Sequence, residues 1–306
     1  MKIATHNVEF LFDEGKHTYA GHEWIYTKDY VENRVQHFAK LFAEIDADFL
    51  FLQEVASENV LKRIIEKTGK EYSYFIANTD QSGVGNGVLY KDKNCVCESI
   101  PTNSSMPVFV EGDIDTIGPR IWSRRDFVKV KTAHGGKDLI LFGLHLKTKF
   151  LMPQKHANKT DLPMLTQSDA ADAFIRSELF TLSQAKKMRL SVDEAFAAHK
   201  DCELVVVGDF NAMDMEASFR MIQGEHKNAE GALISLGSAV NERDRFSFCR
   251  KNGHKILIDH ILISKNLESK VKSFKIFNEG LSRHTEVPPN RTYIESDHAP
   301  VVLEIA

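Results

Sequence analysis

Leu204-Val205-Val206-Val207-Gly208-Asp209-Phe210-Asn211-Ala212 sets an apolar run directly against polar residues. Such a run reads as a short buried strand, Glu203 to Val207, that stops at groups able to bind a metal or move a proton. The pattern recurs along the chain. Asn7 ends the strand that opens at Lys2, and Glu54 follows the nearly all-apolar Asp48 to Gln53, as expected of a central strand covered on both faces. His145 lies in the strand Asp138 to Thr148, Asp259 follows Lys255-Ile256-Leu257-Ile258, and Asp297-His298 precedes the last strand, Pro300 to Ile305. Strand ends at one edge of a sandwich converge, so residues distant in sequence can build one site on a rigid scaffold.

Between these strands lie helical stretches. Tyr30 to Ile45 repeats apolar residues at spacings of three and four, Ser57 to Thr68 is helical up to Gly69, Ser168 to His199 holds one long helix or two shorter ones, and Glu216 to Ile222 is a further candidate. Tyr72 to Ala77, Gly87 to Lys91, Cys95 to Ile100, Trp122 to Lys131 and Val271 to Phe277 complete the predicted strands. This is an α/β pattern of packed sheets with helices outside. No linker, composition shift or repeat divides the 306 residues, so a single domain over 1–306 is expected. Lys149 to Gln167 (149–167) and Gly280 to Glu295 (280–295) are polar and aperiodic, and read as substrate-side loops.

Composition narrows the function. With 42% apolar and 27% charged residues, 8 Pro and 17 Gly, the chain is neither disordered nor fibrous. No window reaches the roughly 18 to 20 apolar residues of a membrane-spanning helix, which argues against integral membrane association. The N-terminus lacks a secretory pattern, so a cytoplasmic location is expected. Four Cys without a CxxC pair read as reduced thiols. A net charge of −4 supplies no global attraction for nucleic acid, so a polyanion needs a local basic patch or a bound cation. Glu54, Asp209, Asp259 and Asp297, if crowded in a dry pocket, repel one another unless a cation or a paired His neutralises them. Hard oxygen donors without nearby Cys point to Mg²⁺ or Mn²⁺.

Taken together, Gly208-Asp209-Phe210-Asn211-Ala212 and Ser296-Asp297-His298-Ala299-Pro300-Val301, with the LQEV, GLHLK and IDHI blocks, resemble the endonuclease/exonuclease/phosphatase superfamily, and the resemblance runs from Asn7 to Leu303. Its members include pancreatic-type deoxyribonucleases, abasic-site endonucleases, bacterial sphingomyelinases and inositol polyphosphate 5-phosphatases. The resemblance implies a four-layer α/β/β/α sandwich of two packed mixed sheets with outer helices. It also implies Glu54 as principal metal ligand, with Asn7 and Asp297 at the metal site. Asp209 is then the group that activates water, Asn211 a donor to the phosphoryl oxygens, and His298 the acid/base group steadied by Asp259. His145 falls where deoxyribonuclease- and sphingomyelinase-like members carry a second catalytic His. In Trp122-Ser123-Arg124-Arg125, Arg124 fits best the register of a family Arg, although only one of Arg124 and Arg125 can face the site from a regular strand. Lys147, two residues beyond His145, faces the same side and is a candidate phosphate contact.

The function so implied is hydrolysis of phosphodiesters by an Asp-activated water, with nucleic acid as substrate and a monomer as the expected state. A sphingomyelinase, phospholipase C-like or inositol-phosphate phosphatase activity on phosphorylated lipid or small phosphodiesters is the alternative. A membrane-active enzyme calls for exposed apolar loops or a secretion signal, and the sequence displays neither. The remaining histidines, His6 and His284 among them, lack metal-ligand spacing and read mostly as surface residues, and His260 is expected to point away from Asp259.

Overall fold

The structure, a computed structural model, describes residues 1–19, 22–79, 83–102, 105–107, 120–122, 125–152, 166–199, 201–224, 231–250 and 252–306. The chain opens with β1 (Lys2–Leu11), a small hairpin of β2 (Gly15–Tyr19) and β3 (His22–Tyr26), and α1 (Lys28–Ile45). β4 (Phe49–Val55), α2 (Glu58–Thr68), β5 (Ser73–Ile76), β6 (Gly85–Tyr90) and β7 (Val96–Ile100) follow. A short pair, β8 (Ser105–Pro107) and β9 (Arg120–Trp122), precedes the long strands β10 (Phe127–His134) and β11 (Lys137–His145). Then come α3 (Gln167–Ala198), β12 (Glu203–Asp209), α4 (Ala217–Gln223), β13 (Leu233–Ser235), β14 (Phe248–Cys249), β15 (Lys255–Ile256), β16 (Asp259–Ser264), β17 (Val271–Ile276) and β18 (Val301–Ile305).

Local chemistry sets the helix ends. The Thr27 hydroxyl accepts the Tyr30 amide at the start of α1, and the chain leaves that helix through Asp46 at φ 49°. Ser57 caps α2 in the same way, and Gly69 closes it at φ 65°. The stretch expected as one or two helices is one, α3, opened by a capping box between Thr166 and Asp169. The predicted strand Trp122 to Lys131 is instead two strands, β9 and β10, in different sheets.

Two six-stranded sheets carry the fold, in the orders β17-β18-β1-β4-β6-β5 and β13-β16-β12-β11-β10-β7. Each is mixed: β1 and β4 are parallel in the first, β11 and β12 in the second, and the other pairs are antiparallel. Strand alternation builds the layers. Phe49 and Phe51 of β4 join Val205 and Val207 of β12 in the core between the sheets. Leu50 and Leu52 pack with Val35, Phe38 and Phe42 of α1. Leu204 and Val206 pack with Met188 and Val192 of α3. The result is the four-layer α/β/β/α sandwich. Its sheets meet so closely at Gly143 that a Cβ there would lie 2.3 Å from the Phe51 ring.

Candidate active site

The topology brings the polar strand ends together. β1 and β4 run parallel, as do β11 and β12, so Asn7, Glu54, His145 and Asp209 all sit toward their carboxyl ends. β16 is antiparallel to β12, which sets its first residue, Asp259, opposite Asp209. β18 is antiparallel to β1, so Asp297 and His298, just before it, arrive at the same edge. Gly208, within β12, takes φ 144°, and its close approach to β11 needs glycine, since a Cβ would lie 2.0 Å from the Leu144 carbonyl oxygen.

The side chains form one set joined by hydrogen bonds and ionic contacts. Asn7 Nδ2 donates to Asp209 Oδ2 (3.0 Å) and Glu54 Oε1 (3.2 Å). The Phe10 amide donates to the other Glu54 oxygen at 3.0 Å. The Asn211 amide donates to Asp209 Oδ1 at 2.8 Å, and its Nδ2 lies 3.3 Å from Asp209 Oδ2 and 3.0 Å from the Leu146 carbonyl. His298 Nδ1 meets Asp259 at 2.8 Å, leaving Nε2 3.9 Å from both Asp209 and Asp297. His145 Nε2 lies 3.4 Å from Asp209 and 3.9 Å from Glu54. Glu54, Asn211, Glu9 and Phe10 take positive φ (64°, 47°, 47° and 52°), a sparsely populated conformation concentrated at the site.

Burial and charge divide the groups into two kinds. Burial pushes the Asp209 carboxyl up to about 7, and the facing Asp259 adds to the shift. Asp297 also rises to about 7, from burial and then from Glu9, and Glu54 is raised by burial. Burial opposes a charge on His298, but Asp259 and Asp209 outweigh it and hold the imidazolium well above its ordinary range. His145 is driven the other way, by burial and then by the Arg125 guanidinium. Arg125 Nη1 lies 2.5 Å from His145 Nδ1. A guanidinium only donates, so Nδ1 is the acceptor and the neutral ring carries its proton on Nε2, facing Asp209.

Crowded, buried carboxylates with raised pKa values are what a divalent cation neutralises, and oxygens of Glu54, Asp297, Asp209 and Asn7 suit a hard ion. Among the described residues two acid/His groups come within metal-binding reach: Asp209 with Asp259 and His298, and Glu9 with His284 and Asp297. Glu9 is already balanced by His284 and Arg291, each 2.9 Å away. Burial raises its pKa, but these cations outweigh that and hold it at about 2.

Every site residue named from sequence and lying in the described residues reaches this edge; Arg124 lies outside them, as does most of 149–167. Arg125 is the described arginine at the site. His6 and His284 are corrected from surface to buried. His6 Nε2 contacts the His298 carbonyl at 3.1 Å, and burial takes its pKa to about 3. His260 points away from Asp259, toward the Ala212 carbonyl, as strand alternation requires. Ser247 went unnoticed: its hydroxyl donates to Asp259 at 2.7 Å, and nothing in its sequence surroundings signals it. Glu9, two residues after Asn7, is placed by the register shift between Asn7 and Leu11 and not by strand alternation. Phe150 (76% exposed) and Met215 (79% exposed) are the sequence neighbours of Lys149 and Glu216, which pair at 2.5 Å. Lys147 is half-buried, its ammonium on the Thr148 carbonyl at 2.6 Å, and burial followed by Arg125 lowers its pKa to about 8.

The model for the Endonuclease/Exonuclease/phosphatase family matches residues 4–298. No curated protein matches the chain in sequence. Among solved structures, an endonuclease/exonuclease/phosphatase family protein from Leptotrichia buccalis is 16% identical with a TM-score of 0.59, covering 100% of this chain and 99% of its own. D. rerio TDP2 complexed with single strand DNA product is 13% identical (TM-score 0.59; 99% and 97% covered). The Bacteroides thetaiotaomicron mannosyl-6-phosphatase Bt3783 is 16% identical (TM-score 0.57; 100% and 99% covered). At these identities the likeness is one of fold.

Proposed function

The chain belongs to the endonuclease/exonuclease/phosphatase family, hydrolases of phosphate esters, and from that premise we propose that it cleaves phosphodiesters of nucleic acid with a divalent cation, Mg²⁺ or Mn²⁺. The observation that carries the reading is the joint presence, at one strand edge, of Asp209, the His298–Asp259 pair and Asn7 with Glu54, all within hydrogen-bonding or ionic reach. In-line hydrolysis needs a positioned water, neutralisation of charge on the phosphoryl oxygens and a proton for the leaving oxygen.

Glu54, Asp297 and Asn7 would hold the cation, which supplies Lewis-acid stabilisation of the phosphoryl group when bound. Asp209 orients and deprotonates the water, and Asn211 steadies that carboxylate while offering its amide to the phosphate. The charged His298 contacts the scissile phosphate, with Asp259 and Ser247 fixing its ring. The charged His298 carries the proton that the leaving oxygen takes, whereas His145, neutral with Nδ1 held by Arg125, offers that oxygen only a hydrogen bond from Nε2. Arg125 and Lys147 supply the local positive charge that the net −4 denies a polyanion. A nucleic-acid substrate draws support from the DNA product bound by the D. rerio neighbour. Lipid phosphodiesters are the second reading, favoured by the exposed Phe150 and Met215, sequence neighbours of the paired Lys149 and Glu216.

Plasmid, single-stranded oligonucleotide, bis-p-nitrophenyl phosphate and sphingomyelin vesicles, each with Mg²⁺ or Mn²⁺ and then with EDTA, separate these readings. Metal-dependent strand cleavage is expected. Release of phosphocholine with nucleic acid left intact would favour the second reading, and cleavage that survives EDTA would sink the metal assignment.

A further inference from the structure

Arg34 lies on α1 and is 2% exposed. Its Nη1 donates to the Glu9 carbonyl (2.9 Å) and the Tyr30 hydroxyl (3.0 Å), and its Nη2 donates to the Val8 carbonyl. Its guanidinium carbon lies 5.0 Å from the centre of the Phe38 ring. The charge is thus spent on two consecutive backbone carbonyls of β1.

Those carbonyls belong to the point where β1 leaves its register. Pairing with β4 is regular to Asn7 opposite Gln53 and resumes at Leu11 opposite Val55. Between them Glu9 and Phe10 are both left-handed. This bulge aims the Phe10 amide at Glu54 Oε2 (3.0 Å) and the Glu9 amide at Asn7 Oδ1 (2.9 Å), which turns Asn7 Nδ2 toward Glu54 Oε1 (3.2 Å). Both oxygens of Glu54 therefore take donors whose direction depends on the bulge, and a buried guanidinium holds the bulge from below.

We propose that Arg34 is a positioning residue, which fixes the metal-binding carboxylate of Glu54 through the left-handed Glu9–Phe10 bulge. The inference rests on the reading of Glu54 as a metal ligand. Methionine at 34 keeps an unbranched side chain and removes every donor; lysine keeps one charge but cannot fork to two carbonyls.

The test is Mn²⁺ binding by calorimetry, with kcat and KM measured alongside, in wild type, Arg34→Met, Arg34→Lys and Val35→Ala. Val35 is fully buried on the same helix, so its truncation loosens α1 without removing a donor. Arg34→Met should weaken Mn²⁺ binding by roughly tenfold or more, with a matching fall in kcat and little change in KM. Arg34→Lys should fall between it and wild type, and Val35→Ala should bind Mn²⁺ like wild type despite a lower Tm. Wild-type Mn²⁺ affinity in both Arg34 variants overturns the proposal. So does an equal loss in Val35→Ala, and where Arg34→Met fails to fold, Arg34→Lys decides. Wild type that binds no Mn²⁺ overturns the metal reading itself, and the inference with it.

Discussion

Strand β12 buries a carboxylate at each end, and the two are treated oppositely. Glu203, at its start, is fully buried, with Lys270 on one oxygen and His134 Nδ1 2.5 Å from the other. Burial raises its pKa, but the hydrogen bonds from Lys270 and His134 outweigh that and hold it below the usual carboxylate range. Asp209, at its end, is as buried, yet its charged surroundings include the carboxylate of Asp259, and its pKa climbs to about 7. One end is neutralised by its own partners; at the other the charged His298 lies 2.8 Å from Asp259 but 3.9 Å from Asp209, and the Asp209 carboxyl stays raised. Local conflict of this kind, unresolved by the fold, marks a site kept for function at a cost in stability.

The sharpest way to break this comparison is to neutralise each acid in turn. Asp209→Asn should lower kcat by roughly a thousandfold or more while leaving the metal-free protein as stable as wild type or more so, because it removes a repelled charge. Steady-state kinetics beside urea unfolding checks both halves. A variant that loses stability without losing turnover would place Asp209 with the structural acids.

Cation and proton should act on the two ends with opposite signs. Asp209 and Asp297 have folded pKa values raised above their unfolded ones, so the folded protein binds extra protons between pH 4 and 7. Stability from this end therefore falls as pH rises through that window, by a few kcal/mol on an order-of-magnitude basis. Glu203 has a lowered folded pKa, so its contribution is present above about pH 4.5 and is lost as pH falls through the folded value. Saturating Mg²⁺ should hold the site carboxylates ionised and flatten the decline between pH 4 and 7. At about 100 times Kd it should add roughly 2.7 kcal/mol, which Glu54→Gln abolishes and Glu203→Gln leaves intact. Thermal melts across pH, with metal and with EDTA, measure all three.

Glu203→Gln is the next smaller effect. It should cost about 2 kcal/mol of unfolding free energy, since Lys270 is partly solvated and loses only part of its stabilisation, and kcat should not change. Urea titration and turnover are the readouts, and a large fall in kcat would couple the two ends.

What could be read from sequence follows the same division. β4 and β12 were legible because a strand covered on both faces is apolar throughout, and Leu50, Phe51, Val205 and Val206 leave no alternative period. The catalytic candidates were legible because they end such runs. Sheet order was not: β6 pairs between β4 and β5, a non-local choice that no window contains. Arg124 fits the register of a family Arg and lies outside the described residues, while Arg125, its neighbour, is described against His145. Glu9 escaped because a bulge, not alternation, directs it, and His284 because its partner lies far away in the chain.

Lys147 offers the smallest and most specific test of where the external charge is met. It stands two residues beyond His145, and its pKa of about 8 makes it charged at neutral pH and uncharged above. If its ammonium helps hold the anionic substrate, kcat/KM should decline above pH 8. Lys147→Met should raise KM a few-fold, on the order of 1 kcal/mol, with kcat little changed and that limb of the profile removed. Lys147→Arg should restore binding and push the limb to higher pH, because a guanidinium does not titrate there. A basic limb that persists unchanged in Lys147→Met would assign it to another group and leave Arg125 as the described cation contacting His145.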